Sequence, residues 1–447
     1  MAWNRKLWAD RSRDFISKTL LRQEEFQQSL LKRAWVEEKV RDFTVSPLFQ
    51  EACAAENTQL ADRLASIRPR VLLYGSSIAG TAFEHADADF AVVFPISSPL
   101  NSIGAAPVEI SDTAENLASI PVGAMGFVGG MATFPRQAQP TVLTSLYDHV
   151  MKQSKDKVGT APRMQRIFRA RIPILQYVPS LGELQERNSK LGADSSDLPQ
   201  AMTAVHSTDS ATSKKEHYDI SLSVDGSRNS LLIRQYMKLY PALRVACLVL
   251  KQWGRQQKIL NARRGWISPY ALTMYKIHYA LEAKVIAAPI PPDSIDEVLA
   301  QISQQMCSTT EDASGSRALY GVDDMDTTLP MDFDHAAAFE GVSDIIKGFC
   351  EYYGGVNDQF DFDANVVDIR TERRVLSKED WFSKEETTGL SDAEKWHRVG
   401  YGVLMIRDPF EKHSLGRSVE FFRSESIREE MRLAAKGSIQ LETLLPL

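Results

Sequence analysis

Apolar residues at the start of the chain return at three- and four-residue steps. Ile16, Leu20, Leu30, Leu31, Trp35, Val36, Val40 and Phe43 follow this spacing, with charges between them. That is the period of a helix buried on one face, and it predicts helix over residues 1–45. The pattern then shortens into continuous apolar runs, Val71-Leu-Leu-Tyr74 and Phe90-Ala-Val-Val-Phe94, bounded by turn formers. These read as strands, as do 172–178 and 218–222. Residues 97–140 are rich in Gly, Pro and Ala. The glycine-rich 122–130 lacks the Lys-Ser/Thr ending of a phosphate loop, so it reads as a loop or hairpin. Residues 180–216 are polar and Ser-rich, too short for a cored domain, and read as a mobile hairpin tip. After 229 the helical period returns over 229–253, 268–282, 336–353 and 419–436. Between these lie an acidic loop over 305–333 and a short strand over 402–407, ending at Asp408-Pro409.

The layout is helix, then an α/β region, then a mostly helical region. It divides into an N-terminal helical segment (1–65), a catalytic α/β domain with an insert at 180–216 (66–225), and a mostly helical domain (226–447). The fold class is α+β, and 447 residues accommodate about two or three domains. The 43% apolar and 25% charged fractions are those of an ordinary globular chain. With no unbroken apolar run of about 18 residues, the sequence offers no membrane span. Four cysteines, Cys53, Cys247, Cys307 and Cys350, lie far apart without a C-x-x-C pair, which argues against structural zinc and for a reducing compartment. A net charge of −6 leaves any nucleic-acid site to local basic patches. The early cations Arg5, Lys6, Arg11 and Arg13 suit a mitochondrial presequence, but Asp10, Asp14, Glu24 and Glu25 favour a packed amphipathic helix.

Candidate chemistry concentrates in Tyr74-Gly75-Ser76-Ser77 followed by Asp87-Ala88-Asp89. Residues two apart on a strand face the same way, so Asp87 and Asp89 present two carboxylates side by side. Such a pair repels itself unless a hard divalent cation sits between. Mg²⁺ suits oxygen ligands and substrate phosphates. Gly75-Ser76, just past a strand, offers backbone N–H groups and a hydroxyl to a triphosphate. Asp219, on a later strand, is the candidate third carboxylate.

Gly75-Ser76, Asp87-x-Asp89 and Asp219 together resemble the DNA polymerase β-type nucleotidyltransferase superfamily. Lys251-Gln-Trp-Gly-Arg255, Ser268-Pro269-Tyr270 and Asp408-Pro409-Phe410-Glu411 resemble motifs of its poly(A) polymerases and terminal uridylyltransferases. Phe349-Cys-Glu-Tyr352-Tyr353 with Phe360-Asp-Phe362 resembles the segment before the last of these. The matches run in the family's order from about 70 to 420. The insert at 180–216 lies where mitochondrial trypanosomatid uridylyltransferases carry an extra domain. Its loop-like length is similar to those of that group that work in a mitochondrial editosome-like complex.

The resemblance implies a polymerase β-like domain, a helical poly(A)-polymerase-like domain and a cleft between them. It implies addition of UMP from UTP to an RNA 3′-hydroxyl with Mg²⁺, for which Mn²⁺ can substitute. Asp87, Asp89 and Asp219 would hold metal, and Asp219 would help activate the hydroxyl. Gly75 and Ser76 would touch phosphates. Lys251 and Arg255, one helical turn apart, would meet the same triphosphate. Tyr270 would stack on the base, Asn229 would contact the ribose and uracil, and Asp408 and Glu411 would read the base edge. His413 falls near a histidine that disfavours adenine. Pro269 departs from the family's serine and removes a hydroxyl contact to the triphosphate, and the sequence leaves open whether Ser268 compensates. The implied partners are UTP, a single-stranded RNA 3′ end and a mitochondrial RNA-editing-like complex. The implied location is mitochondrial, with the cytoplasm as the alternative, and ATP is the alternative nucleotide. Two basic stretches then read as RNA tracks. The first holds Lys152, Lys155, Lys157, Arg163, Arg166, Arg169 and Arg171. The second holds Lys251, Arg255, Lys258, Arg263 and Arg264.

Overall fold

The computed structural model describes residues 4–21, 23–56, 64, 67–84, 86–95, 126–155, 162–168, 172–179, 217–308, 337–355, 359–370, 375–381, 404–411, 413–439 and 444–445. The readings made for 97–125, 180–216 and 309–333 lie outside these residues.

The N-terminal apolar period resolves into two helices, α1 (Arg5–Thr19) and α2 (Gln23–Thr44), followed by α3 (Pro47–Glu56). The break falls at Leu20 and Leu21. Leu20 forms a β-bridge with Phe83, and the Leu21 N–H donates to the Ala82 carbonyl at 3.2 Å. The two helices therefore serve different neighbours. Helix α1 buries Trp8, Phe15 and Ile16 against the later helices. Helix α2 packs along strand β1 (Arg70–Tyr74). Inside that contact the Val71 N–H donates to Glu37 and its carbonyl accepts from Arg33, both at 3.1 Å. A buried ion pair on α2 thus satisfies backbone groups that an edge strand would otherwise leave unpaired.

The sheet combines β1 with β2 (Ala88–Pro95), β3 (Gly126–Val128), β4 (Met131–Thr133), β5 (Arg163–Ile167), β6 (Ile174–Val178) and β7 (Tyr218–Ser221). Its order is β3-β4-β2-β7-β6-β5, with β1 also paired to β2. Strands β2 and β7 run parallel, in a register that sets Asp89 opposite Asp219. Strands β3 and β4 form a hairpin turning at Gly129 and Gly130. Helix α4 (Gln139–Lys155) and edge strand β5 occupy the first basic stretch. There Arg166 lies over Tyr147 at 4.1 Å and pairs with Asp148. That face is two strands away from Asp219.

The helical lobe starts at α5 (Asp225–Leu239), directly after β7. A single helix over 229–253 is corrected to two, because Pro241 lacks the N–H that would continue the ladder. It opens α6 (Pro241–Gln256) instead. Helix α7 (Pro269–Glu282) follows, then α8 (Pro292–Ser308), which crosses back onto β2, β3 and β4. Helix α9 (Val342–Tyr353) joins α7 through an aromatic core of Tyr275, His278, Tyr279, Phe349, Tyr352, Tyr353, Phe360 and Phe362. Strands β8 (Asn365–Val367) and β9 (Val375–Ser377) pair with each other, and α10 (Phe421–Leu433) closes the lobe. Of the strand expected over 402–407, the described residues 404–407 form only isolated bridges at Ile406 and Arg407. Among the described residues, no helix is long and apolar enough to cross a membrane.

Candidate active site

The register of β2 against β7 brings Asp89 and Asp219 together on neighbouring strands, about 5 Å apart along the hydrogen-bonding direction. Asp87 lies just before β2 and is exposed. Burial pushes the Asp89 carboxyl well above the ordinary range, and the charges of Asp219 and Asp87 push it further. Asp219 is also raised, first by burial, although the hydrogen bond from Gln176 Nε2 to its Oδ1 at 2.9 Å opposes the shift. The three acids are thus electrostatically one cluster, short of positive charge. Their all-oxygen donor set fits a hard divalent cation. Among the described residues, no three His, Cys, Asp or Glu side chains form a finished metal cage. Asp219 is instead held by Gln176, with Arg263 Nη2 at 3.9 Å from its Oδ2.

Gly75 ends β1 opposite this pair. It adopts a left-handed φ of 77°, and a Cβ there would land on the Asp89 carboxylate. Both facts require glycine. The Gly75 N–H donates to Ser230 Oγ of α5 at 2.7 Å, which ties the turn to the helical lobe. Ser76, the next residue, is partly exposed. Three cations of the helical lobe grip the turn that follows. Arg234 donates to the Ile78 carbonyl at 3.1 Å, Arg244 to Gly80 at 2.8 Å and Lys251 to Thr81 at 2.8 Å. Lys251 and Arg255 both lie over the Phe83 ring, at 5.1 and 4.7 Å from its centroid. Burial, with the Arg255 charge second, lowers the Lys251 ammonium to about 7. A buried lysine beside an acid cluster is suited to gain an anion.

The expected nucleoside contacts also meet. Tyr270 Oη donates to Asn229 Oδ1 at 2.9 Å, joining the first turns of α7 and α5. Ser268 Oγ accepts the Ala271 N–H at 3.0 Å and caps α7. Ser268 thus serves as the N-cap of α7. Asp408, Glu411 and His413 share one turn. Asp408 is fully buried, and its Oδ1 accepts the N–H groups of Phe410 and Glu411 at 2.9 and 3.1 Å. Asp408 thus holds the turn through Oδ1, and Glu411 is the partly exposed acid of the pair. His413 lies between the two, 3.7 Å from Asp408 and 3.4 Å from Glu411. The turn is seated by Arg228, which lies 4.3 Å over Phe410 beside Asn229 and binds Asp296 in a fork at 2.8 and 2.6 Å. From the sheet lobe, Arg136 reaches Glu411 at 3.7 Å. The cleft thus has acids on the sheet side and cations, a tyrosine and the Asp408 turn on the helical side.

Comparison with known proteins agrees with this geometry. Residues 342–414 match the model of the Cid1 family poly A polymerase. Terminal uridylyltransferase 1 of Trypanosoma brucei brucei is 26% identical over 48% of this chain and 21% of that protein. Terminal uridylyltransferase cid1 of Schizosaccharomyces pombe is 26% identical over 46% of this chain and 47% of that protein. Poly(A) RNA polymerase GLD2 of Bos taurus is 24% identical over 52% and 41%, respectively. The chain spans about half or less of the length of these relatives. The solved structure of Cid1 in complex with its short product ApU superposes with a TM-score of 0.53 at 16% identity, covering 99% of this chain and 98% of that one. Terminal uridylyl transferase 4 from Trypanosoma brucei with bound dUTP gives 0.51 at 17%, covering 95% and 99%. The chain has the polymerase β-like nucleotidyltransferase fold.

Within that nucleotidyltransferase fold, several site residues were not legible in the sequence. Gln176 is brought to Asp219 by the pairing of β6 with β7, which no local signal announces. Phe83 carries no sequence signal of its own, yet it lies under Lys251 and Arg255. Arg234, Arg244 and Arg136 belong to no motif, yet each crosses from one lobe to the other. Arg263 was visible only as part of a basic run.

Proposed function

We propose that this chain is a template-independent RNA 3′-terminal uridylyltransferase that transfers UMP from UTP to the 3′-hydroxyl of single-stranded RNA. The observation that carries the reading is the Asp89–Asp219 pair on one sheet face, with Lys251 close enough to act on the Asp89 charge. Relatives named as terminal uridylyltransferases support it.

Asp87, Asp89 and Asp219 would hold divalent ions, with Mg²⁺ the proposed ion and Mn²⁺ a substitute. When bound, such ions supply acidification of the attacking hydroxyl and neutralisation of the leaving pyrophosphate. The chain's own residues do the rest. Gln176 fixes Oδ1 of Asp219, and the other oxygen, Oδ2, lies 3.9 Å from Arg263. Asp219, beside the attacking hydroxyl in this reading, accepts its proton. The freed oxygen forms a bond to the α-phosphorus as the bond to pyrophosphate breaks. Lys251 exchanges the neutral Thr81 carbonyl for a charged phosphate, and Arg255 adds a second cation one turn on. Together they stabilise the departing charge. The backbone of Gly75 and Ser76 lines the phosphates. Tyr270, oriented by Asn229, offers its ring to the base.

A flat stacking site accepts any base, so selectivity rests on groups that a wrong base leaves unpaired. Glu411 accepts hydrogen bonds and suits the uracil N3–H, and His413 beside it shapes the same edge. The second reading, a poly(A) polymerase using ATP, draws on the GLD2 relative. Side-by-side extension of one RNA with UTP and with ATP decides between them. Preference for UTP is expected, while equal use or preference for ATP would overturn the uridylyl assignment. Placement in a mitochondrial RNA-editing-like complex is the finer proposal, supported by the short insert at 180–216. Cell fractionation with co-purification tests it against a cytoplasmic location.

A further inference from the structure

A second surface leads outward from the catalytic acids. Arg263, whose Nη2 is 3.9 Å from Asp219, has a side chain 56% exposed. Two residues on, a span of at most roughly 7 Å, Gly265 meets the start of α10. Its carbonyl accepts the Glu420 N–H at 3.1 Å, and a Cβ there would lie 2.7 Å from Arg423 Nη1. The Arg423 guanidinium lies over two rings at once, 5.3 Å from Trp266 and 5.0 Å from Phe422. Its Nη1 is buried without a hydrogen-bond acceptor among the described residues, and Glu420 faces its Nε at 3.4 Å. Phe421 and Phe422 are 73% and 61% exposed. Helix α10 does not use them for packing, because its buried residues are Ser424, Ile427 and Met431.

We propose that Trp266, Phe421, Phe422 and Arg423 form a stacking platform for single-stranded RNA just upstream of the 3′-terminal nucleotide, with Arg263 leading the strand to Asp219. The inference rests on the RNA nucleotidyltransferase reading above. Three features favour RNA over a protein partner. The rings alternate with a guanidinium, the arrangement that holds bases in sequence-tolerant binding. Residues 255–266 carry Arg255, Lys258, Arg263 and Arg264 and no acid, which suits phosphates. The surface is continuous with the acid beside which the 3′-hydroxyl must sit.

The test measures binding of a labelled single-stranded RNA by fluorescence anisotropy, together with KM and kcat for its extension. Phe421→Ala with Phe422→Ala, Arg423→Ala, and the conservative Phe422→Tyr are compared with the unaltered chain. Both phenylalanines are exposed, so their loss leaves the core intact. Expected is an increase of about 5-fold or more in Kd and RNA KM for each ring lost. Retained kcat at saturating RNA and recovery in Phe422→Tyr are expected alongside it. RNA affinity in the double variant equal to that of the unaltered chain would overturn the platform, and loss of a co-purifying protein instead would identify a protein-docking surface. If the unaltered chain binds RNA but transfers no nucleotide, the catalytic reading fails, and the anisotropy comparison alone decides the platform.

Discussion

Asp89→Asn is expected to make the metal-free protein more stable and the enzyme inactive. Folding places the Asp89 and Asp219 carboxylates on adjacent strands, with Asp87 two residues before Asp89. Two unit charges about 5 Å apart repel by roughly 3 kcal/mol at an effective dielectric of about 20. Partial protonation of the pair relieves some of this, so neutralising Asp89 should recover about 1–3 kcal/mol. For a cooperative unit of roughly 150–250 residues, that is a Tm increase of about 2–12 °C. The pH dependence has a fixed direction. Both carboxyls are raised above 3.8 in the folded chain, so the folded state binds protons more tightly than the unfolded state. The metal-free protein should therefore lose stability as pH rises from about 4 through these raised values. Asp89→Asn should weaken that loss. Saturating Mg²⁺ should reverse the order, because a ligand at about 100 times its Kd stabilises by about 2.7 kcal/mol and the variant lacks a ligand oxygen. Differential scanning fluorimetry across a pH series, with EDTA and with Mg²⁺, reads the stability changes, and transfer of labelled UMP reads the loss of activity. A variant less stable than the parent in EDTA, or an equal Mg²⁺ shift in both, would refute the reasoning.

Three further outcomes follow from the site. Lys251, lowered to about 7, is an ammonium below that pH and an amine above it, whereas a bound triphosphate favours the ammonium. UTP affinity should therefore fall by up to about tenfold per unit between pH 7 and 9. Lys251→Arg, charged throughout, should flatten the profile, and a flat profile in the parent would contradict the assignment. Gly75→Ala strains a left-handed φ and displaces the Asp89 carboxylate. It should lower kcat by about a hundredfold or more at a stability cost of about 1–3 kcal/mol, and parental kcat would count against the role of the turn. Tyr270→Phe keeps the ring but loses the hydrogen bond to Asn229. It should raise the UTP KM by about 2- to 10-fold with little change in kcat, whereas Tyr270→Ala should cost more.

The sequence carried the chemistry better than the connections. Strands around 71–74, 90–94 and 218–222 were legible because buried strands are short apolar runs with turn formers at their ends. Asp89 falls on β2, whereas Asp87 lies just before it, so a two-residue spacing predicts a common face only where the strand has already begun. The partnership of Asp89 with Asp219 spans 130 residues; a later strand carrying an acid was legible, but the parallel register that pairs them was not. Helix boundaries failed where a local breaker overrode the period, at Leu20–Leu21 and Pro241. The strand at 402–407 failed because apolar character there serves burial of Leu404, Met405 and Ile406 rather than a ladder. Asp408 and Ser268 also hold backbone N–H groups, as a turn and a cap, and residue type alone announces neither contact.

The most direct test of the central claim is transfer of labelled UMP from UTP to the 3′ end of a single-stranded RNA in Mg²⁺, run in parallel with the unaltered chain and Asp219→Ala. The account predicts RNA lengthened by the former and unchanged by the latter, with pyrophosphate released only in the first reaction. Equal lengthening by Asp219→Ala, or none by the unaltered chain, would contradict it.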